Sequence, residues 1–311
     1  MNMLKLGMFF FAFIGTQSVT AQPLDYYLTA DEVAVDVYVI EGKSETFSLE
    51  NGGNIVNTGF IVTTSGVVVF DTGPSRRYGL AQRKVIESVT DQPVVLILIS
   101  HQHPDHFLGT QAYPGVPTLA LEGAVKNIKA DGDVLAEGLY RLVGDWMRGT
   151  EVRVPEPVAP GIRSLGGREL HLLSMAGHSG ADLALYDETS GVLFAGDLVF
   201  YQRAATTPHA DFKRWQQDLR RIASLGARII VPGHGPTSIG SVAVAQTAAY
   251  LAWLDVSLGA AAAQGLNHNE AMDLYVLGAF PELALGPYEV ARSVVHLYSE
   301  YEAQAFLSIY P

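Results

Sequence analysis

The chain contains no cysteine, and this absence excludes more chemistry than any other feature of its composition. Without thiols there is no Cys nucleophile, no Cys metal ligand, no iron–sulfur cluster and no disulfide, so any metal chemistry falls to His, Asp and Glu. Stability must come from the core and from any bound ion. Positive charge is also scarce. Lys and Arg number 20 against 32 Asp and Glu, a formal net charge of −12. No basic stripe is long enough to follow phosphates, so nucleic acid is not an expected partner. Low-complexity linkers, long charge runs and repeats of solenoid period are missing too, which leaves no seam between two halves. With 48% hydrophobic and 17% charged residues over 311 positions, the chain has the balance of a folded globular protein with a sizeable core.

Long apolar runs are few. The N-terminus reads Met1-Asn2-Met3-Leu4-Lys5, then runs apolar from Leu6 to Ile14, then turns polar toward Val19-Thr20-Ala21. A basic start, a short apolar stretch and small residues before a cleavage point make the layout of a secretory signal peptide over residues 1–21. An uncleaved anchor is the alternative. No later segment approaches the ~20 apolar residues that a spanning helix needs. The expectation is a mature protein cut near Ala21, periplasmic or secreted, with no membrane span.

Alternating apolar residues predict a strand from Val33 to Ile40, and Ile55 to Thr63 with Gly66 to Phe70 reads as a hairpin turning at Thr64-Ser65-Gly66. Tyr78 to Val89 has helical periodicity, and Val94 to Ile99 is a continuous apolar run of the kind buried on both faces. Thr118 to Leu121 reads as a strand and Gly123 to Met147 as mostly helix. Short strands follow at Glu169 to Leu173, Leu183 to Tyr186 and Val192 to Ala195. Asp211 caps a helix reaching Leu225, and Arg228 to Val231 is another buried strand. Beyond Ser241 three helical segments are expected, near 241–264, 269–279 and 288–306, amphipathic in pattern. Two layered sheets with helices outside fit this order. The helices after 240 form an extension that packs over the site or makes a homodimer contact.

The chemistry concentrates at His101-Gln102-His103-Pro104-Asp105-His106, directly after the Val94 to Ile99 run. Three imidazoles and a carboxylate projected from one strand end need partners to offset their desolvation, and one metal ion satisfies all of them. Three later residues stand beside glycine near strand ends: His178 in Gly177-His178-Ser179-Gly180, Asp197 after Gly196, and His234 between Gly233 and Gly235. Each alone reads equally as a structural residue.

Taken together, His-x-His-x-Asp-His followed in order by His, Asp and His resembles the metallo-β-lactamase superfamily, from roughly Val35 to Gly240. The resemblance implies a four-layer αββα sandwich over 22–240, with the 241–311 helices as its extension. It implies that His101, His103 and His178 hold one metal, that Asp105, His106 and His234 hold the other, and that Asp197 bridges them. Asp71, in Phe70-Asp71-Thr72-Gly73, corresponds to an early strand-end aspartate of the superfamily that supports a ligand. An Asx turn is its plain alternative. Two divalent ions sharing a water lower its pKa and polarise the bond it attacks, so a metal-bridging hydroxide and hydrolysis follow. Zinc suits this ligand set, which also accepts iron or manganese. Asp105 additionally orients the nucleophile or takes its proton, which makes it the expected catalytic residue.

The segment from Asp197 to Asp211 leaves the bridge on irregular chain and supplies candidate contacts for a small-molecule substrate: Arg203 for a carboxylate, Tyr201 or His209 as hydrogen-bond donors. With Asn51-Gly52-Gly53-Asn54-Ile55-Val56-Asn57-Thr58-Gly59-Phe60 it resembles the quinoprotein relay system zinc metallohydrolases, which implies an exported protein linked to periplasmic quinoproteins. Asn51 to Asn54 is expected as a flexible turn over the site. Aspartate at the bridge is similar to the thioesterase and lactonase branches rather than the β-lactamase branches, and the lactonase tyrosine position holds Phe200. The expected reaction is hydrolysis of an ester-like bond, a thioester, lactone or amide. The competing classes are a mononuclear iron persulfide dioxygenase, using His101, His178 and Asp197, and a non-catalytic metal-binding accessory or sensor.

Overall fold

The computed structural model describes residues 24–273 and 280–309. The leader expected over 1–21 lies outside the described residues, as does the end of the helix expected over 269–279. One sheet has the order β1 (Asp31–Ala34), β2 (Val37–Ile40), β3 (Thr58–Thr63), β4 (Gly66–Phe70), β5 (Val94–Leu98), β6 (Thr118–Leu121) and β7 (Glu156–Val158). It is antiparallel from β1 to β4 and parallel from β4 to β7. The second sheet runs β13 (Ser238–Ile239), β12 (Ile229–His234), β11 (Val192–Phe200), β10 (Asp182–Asp187), β9 (Arg168–Met175) and β8 (Gly161–Leu165). Within it β11 and β12 pair in parallel.

Period-two alternation in the second sheet feeds two cores. Val192, Phe194, Leu183 and Leu185 face the first sheet, where Phe194 meets Phe70 at 5.5 Å between ring centroids. Leu193, Ala195 and Ala184 face outward, under helices α4 (Phe212–Ser224), α5 (Val242–Ala263) and α7 (Gly286–Ile309). Helices α1 (Arg76–Val89) and α3 (Glu122–Val143) contribute Ile86, Ile128 and Leu139 to the core of the first sheet. The result is the expected α/β/β/α layering with a helical C-terminal extension, and α5 and α7 share a core with the second sheet.

Several expectations need correction. The strand expected over Val33 to Ile40 is a hairpin, because Asp36 turns the chain on a left-handed backbone (φ 62°). Helix α5 is apolar around most of its circumference, and by length and composition it could cross a membrane, contrary to the sequence reading. Tyr250, Leu251, Leu254 and Leu258 explain this composition, since they lie in the core between β11, α4 and α7. The stretch from Asn51 to Gly53 is buried and held. The Asn51 side chain accepts from Ser48 and Gly53 backbone N–H groups, and Gly52 lies so close to the Trp146 indole that no side chain would fit. The edge strands β7 and β8 and the short helices α2 (Pro104–Phe107) and α6 (His268–Met272) complete the order.

Candidate metal centre

The candidate ligands gather at one rim of the two sheets, on strand ends, a connection, a short helix and, for Asp197, within a strand. His101 and His103 follow β5, α2 carries Asp105 and His106, and His178 lies in the β9–β10 connection. Asp197 is within β11, and His234 ends its parallel neighbour β12. The connection carrying His178 is fixed by Asp182, whose Oδ2 accepts the N–H groups of Gly177 and Ser179 at 2.9 and 3.0 Å.

The ligand atoms form two groups. In the first, His103 Nδ1 lies 2.9 Å from both His101 Nε2 and His178 Nε2, with Asp197 Oδ2 at 3.9 and 3.3 Å from those two nitrogens. Three imidazole nitrogens converging on one point cannot all be satisfied by one another. Ligands around a tetrahedral zinc are about 3.3 Å apart, given Zn–N bonds of roughly 2.0–2.1 Å. In the second group Asp105, His106 and His234 converge, with Asp105 Oδ2 at 3.7 Å from His106 Nε2 and 3.5 Å from His234 Nε2. Asp197 turns its other oxygen, Oδ1, to this group, 3.2 Å from His106 Nε2 and 3.3 Å from His234 Nε2.

Two buried atoms test whether cations fit. His106 Nε2 and Asp197 Oδ1 lack any hydrogen-bond partner, a costly state for buried polar atoms unless a cation lies between them. The residues therefore fit a metal, and glycine leaves space for one. A side chain at Gly233 would collide with Asp197 Oδ1.

Each imidazole is oriented from behind, as metal-binding histidines require. His106 Nδ1 donates to Asp71 Oδ2 at 2.7 Å. His101 Nδ1 donates to Ser100 Oγ at 2.9 Å, and that hydroxyl donates in turn to Asp71 Oδ2 at 2.7 Å. One aspartate thus steers a ligand in each group. His178 Nδ1 donates to the Thr206 carbonyl at 3.0 Å, and His234 Nδ1 to the Ile55 carbonyl at 2.6 Å. His103 Nε2 meets His209 Nδ1 at 2.9 Å. Asn57, whose amide donates to the carbonyls of Pro232 and Gly235, locks the His234 turn to the first sheet.

Electrostatics keep the first group ready to ligate. Burial holds His103 down at about 3 and His178 at about 4, against the pull of Asp197. Burial and the adjacent His106 and His103 imidazoles lower His101 well below its ordinary value. His106 is the exception. Burial opposes its charge, but the carboxylates of Asp197, Asp105 and Asp71 outweigh burial and lift it well above the ordinary range. Asp197 mirrors it: burial favours the neutral acid, yet His234, His106 and His178 hold the carboxyl well below its usual value. Positive charge is demanded between these two residues, and a metal ion can supply it in place of a proton.

A cavity of about 260 Å³ opens above both groups, with His103, Asp105, Asp197 and His234 on its lining. Arg203 and His209 line it as well, and Tyr201 does not. Tyr201 is tied to the His234 turn through its backbone N–H, which donates to the His234 carbonyl. The sequence reading missed Ser100, Asn57 and Asp182 as supports. It also missed the cavity wall supplied by α3, whose side chains carry no local signal beyond helical spacing, while α7, with Tyr288, Glu289 and Arg292 on the lining, packs over the site as one of the two expected arrangements has it.

The family model of the metallo-beta-lactamase superfamily matches residues 51–234, which takes in all seven ligands and stops before α5. The Beta-lactamase-like protein 2 homolog of Caenorhabditis elegans is 28% identical over 183 residues, 58% of this chain and 56% of that protein. The Acyl-coenzyme A thioesterase MBLAC2 of Homo sapiens is 30% identical over 176 residues, 48% of this chain and 60% of that protein. The chain therefore spans little more than half the length of these relatives. Among solved structures, the metallo-beta-lactamase FIM-1 from Pseudomonas aeruginosa in its mono-zinc form superposes with a TM-score of 0.60 at 18% identity, covering 76% of this chain and 100% of that one. The metallo-beta-lactamase from Pontibacter korlensis gives 0.59 at 21%, covering 72% and 99%. At these identities the likeness is one of fold.

Proposed function

The chain belongs to the metallo-beta-lactamase superfamily, and on that footing we propose that it is a binuclear metal hydrolase, with zinc as the metal, acting on an ester-like bond such as a thioester, lactone or amide. The observation that carries this reading is the Asp197 carboxylate, which turns Oδ2 to the His101, His103 and His178 group and Oδ1 to the Asp105, His106 and His234 group. A centre for a single ion has no need of the second group. The zinc assignment rests on an imidazole and carboxylate donor set. The thioester reading is supported by the relative named as an acyl-coenzyme A thioesterase.

When bound, divalent ions supply Lewis acidity toward a carbonyl and generate a nucleophile from water at neutral pH. The chain supplies the rest. His101, His103 and His178 would hold one ion and Asp105, His106 and His234 the other, with Asp197 shared. Asp71 and the Thr206 and Ile55 carbonyls fix the ring tautomers. Asp105 turns Oδ2 toward His106 and His234, and its other oxygen, Oδ1, is the atom that takes the proton of the attacking water. The apolar α3 wall offers the acyl group a surface on one side of the cavity. A leader-like N-terminus supports export, and the likeness to quinoprotein relay system zinc metallohydrolases supports a periplasmic role beside quinoproteins.

Elemental analysis of the purified protein, paired with hydrolysis of a thioester, a lactone and an aryl ester, tests this. Two zinc ions per chain and turnover are expected, with ions and turnover lost in Asp197→Ala. An Asp197→Ala variant that keeps two ions and full activity overturns the shared role of Asp197. One iron per chain with oxygen consumption overturns the hydrolase.

A further inference from the structure

The cavity above the candidate ligands is walled on one side by α3 and on the other by α7, which lies outside the matched family segment. On α3, Val134, Leu135, Leu139 and Leu142 share one face and line it. Leu139 is anchored in the core, whereas Val134 and Leu142 are 70% and 51% exposed and look across the opening. On α7, Tyr288, Glu289 and Arg292 form the facing wall.

That second wall carries unbalanced charge. Glu289 is fully buried and is the acceptor for two guanidinium groups, Arg203 Nη2 at 3.3 Å and Arg292 Nη1 at 3.2 Å, and also for the Thr206 hydroxyl at 3.0 Å. Two cations thus share one carboxylate. Arg203 is 3% exposed, and its Nε and Nη1 have no hydrogen-bond partner, so its charge is only partly offset. Arg292 reaches Glu289 through Nη1 alone and is one-third exposed at the cavity wall. The other carboxylates on the lining, Asp105 and Asp197, are committed to the ligand groups. A cavity with one apolar wall and one net positive wall selects an amphipathic monoanion.

We propose that the substrate is an acyl compound with an apolar body and a terminal carboxylate, the body lying on the α3 face and the carboxylate on Arg292, whose charge excess Arg203 sustains through Glu289. This rests on the hydrolase reading for the fate of the acyl bond, but the anion site stands independently. A guanidinium with free donors is the side chain best shaped for a planar carboxylate.

The test compares mono-p-nitrophenyl glutarate with p-nitrophenyl pentanoate, esters of the same chain length with and without the carboxylate, on the metal-loaded full chain. In parallel, calorimetry measures binding of glutaramate and pentanamide. The expected result is a kcat/KM at least about tenfold higher for the glutarate ester, carried by KM, and glutaramate binding about tenfold tighter than pentanamide. Both preferences should fall to within about twofold in Arg292→Gln and return in part in Arg292→Lys. Equal binding of the two amides, or a glutaramate preference that survives in Arg292→Gln because the carboxylate sits among the metal ligands, overturns the proposal. If neither ester is hydrolysed while the Arg292-dependent binding preference is present, the hydrolase reading fails and this one stands.

Discussion

Asp71 Oδ2 accepts the Nδ1–H of His106 at 2.7 Å, with both side chains fully buried. The aspartate does so from a left-handed backbone, φ 57°, a conformation that costs a non-glycine residue stability and persists only where its surroundings demand it. Replacing Asp71 with Ala removes the support of His106 directly and of His101 through Ser100. Metal affinity should fall about 10–100-fold, as measured by competition with a chromogenic chelator. Unchanged affinity would show that the bond only packs.

Gly233 faces Asp197 with no room for a methyl group. Gly233→Ala must push Oδ1 out of the second ligand group or shift β12 against β11. We expect loss of at least one ion per chain and a hydrolytic rate reduced about 100-fold or more, in line with the cost of displacing reacting groups by an ångström. Elemental analysis decides it, and full metal content in the variant would contradict the close approach.

The ion-free protein should lose stability in acid. His103 and His178 titrate at about 3 and about 4 when folded, against 6.5 ordinarily, and His101 is lowered as well. Below pH 6.5 the unfolded chain therefore binds protons that the folded chain refuses, so stability falls as pH falls toward 4. His106, raised when folded, works in the opposite direction. Three lowered groups outweigh one raised group, and the net loss between pH 6.5 and 5 should be of order a few kcal/mol. Calorimetric melting of chelator-treated protein at the two pH values checks this, and a higher Tm at pH 5 would refute it. Added zinc should raise Tm more at pH 7.5 than at pH 5, because acid protonates the ligands.

Far from the site, Arg168 Nη1 pairs with Asp187 Oδ2 at 2.6 Å, both buried, at the end of β9 and β10 remote from His178. Asp187→Ala leaves the guanidinium only the half-exposed Asp36 carboxylate at 3.4 Å and the Val35 carbonyl, and should cost about 3 kcal/mol in denaturant unfolding, with metal content per folded molecule unchanged. A cost under about 1 kcal/mol would mean that water reaches the pair.

The candidate ligands that the fold brings together were legible because their chemistry is dense in sequence. His101 to His106 crowd one strand end, and the later three stand beside glycines, Gly233 letting β12 approach β11 and Gly177 seating its turn against Trp215. Their supports were less visible. Ser100 and Asn57 have no unusual spacing, and their roles depend on a partner 29 residues away for Ser100 and 175 for Asn57. The edge strand β8 is exposed along most of its length and lacks the alternation that marks a half-buried strand. The turn between β1 and β2 was hidden because Val35-Asp36 contains no glycine or proline. The charged wall on α7 is ordinary helix surface in sequence. Only the fold brings Glu289 opposite Arg203, 86 residues apart.

The first ligand group joins His103 to His178 across 75 residues of chain. An ion seated there would be a reversible cross-link. By the loop-closure relation used for disulfides, tying a loop of that length removes roughly 4 kcal/mol of conformational freedom from the unfolded ensemble. A chain without a single cysteine thus carries the entropic equivalent of a staple, one that closes with metal supply rather than with the redox state of its surroundings.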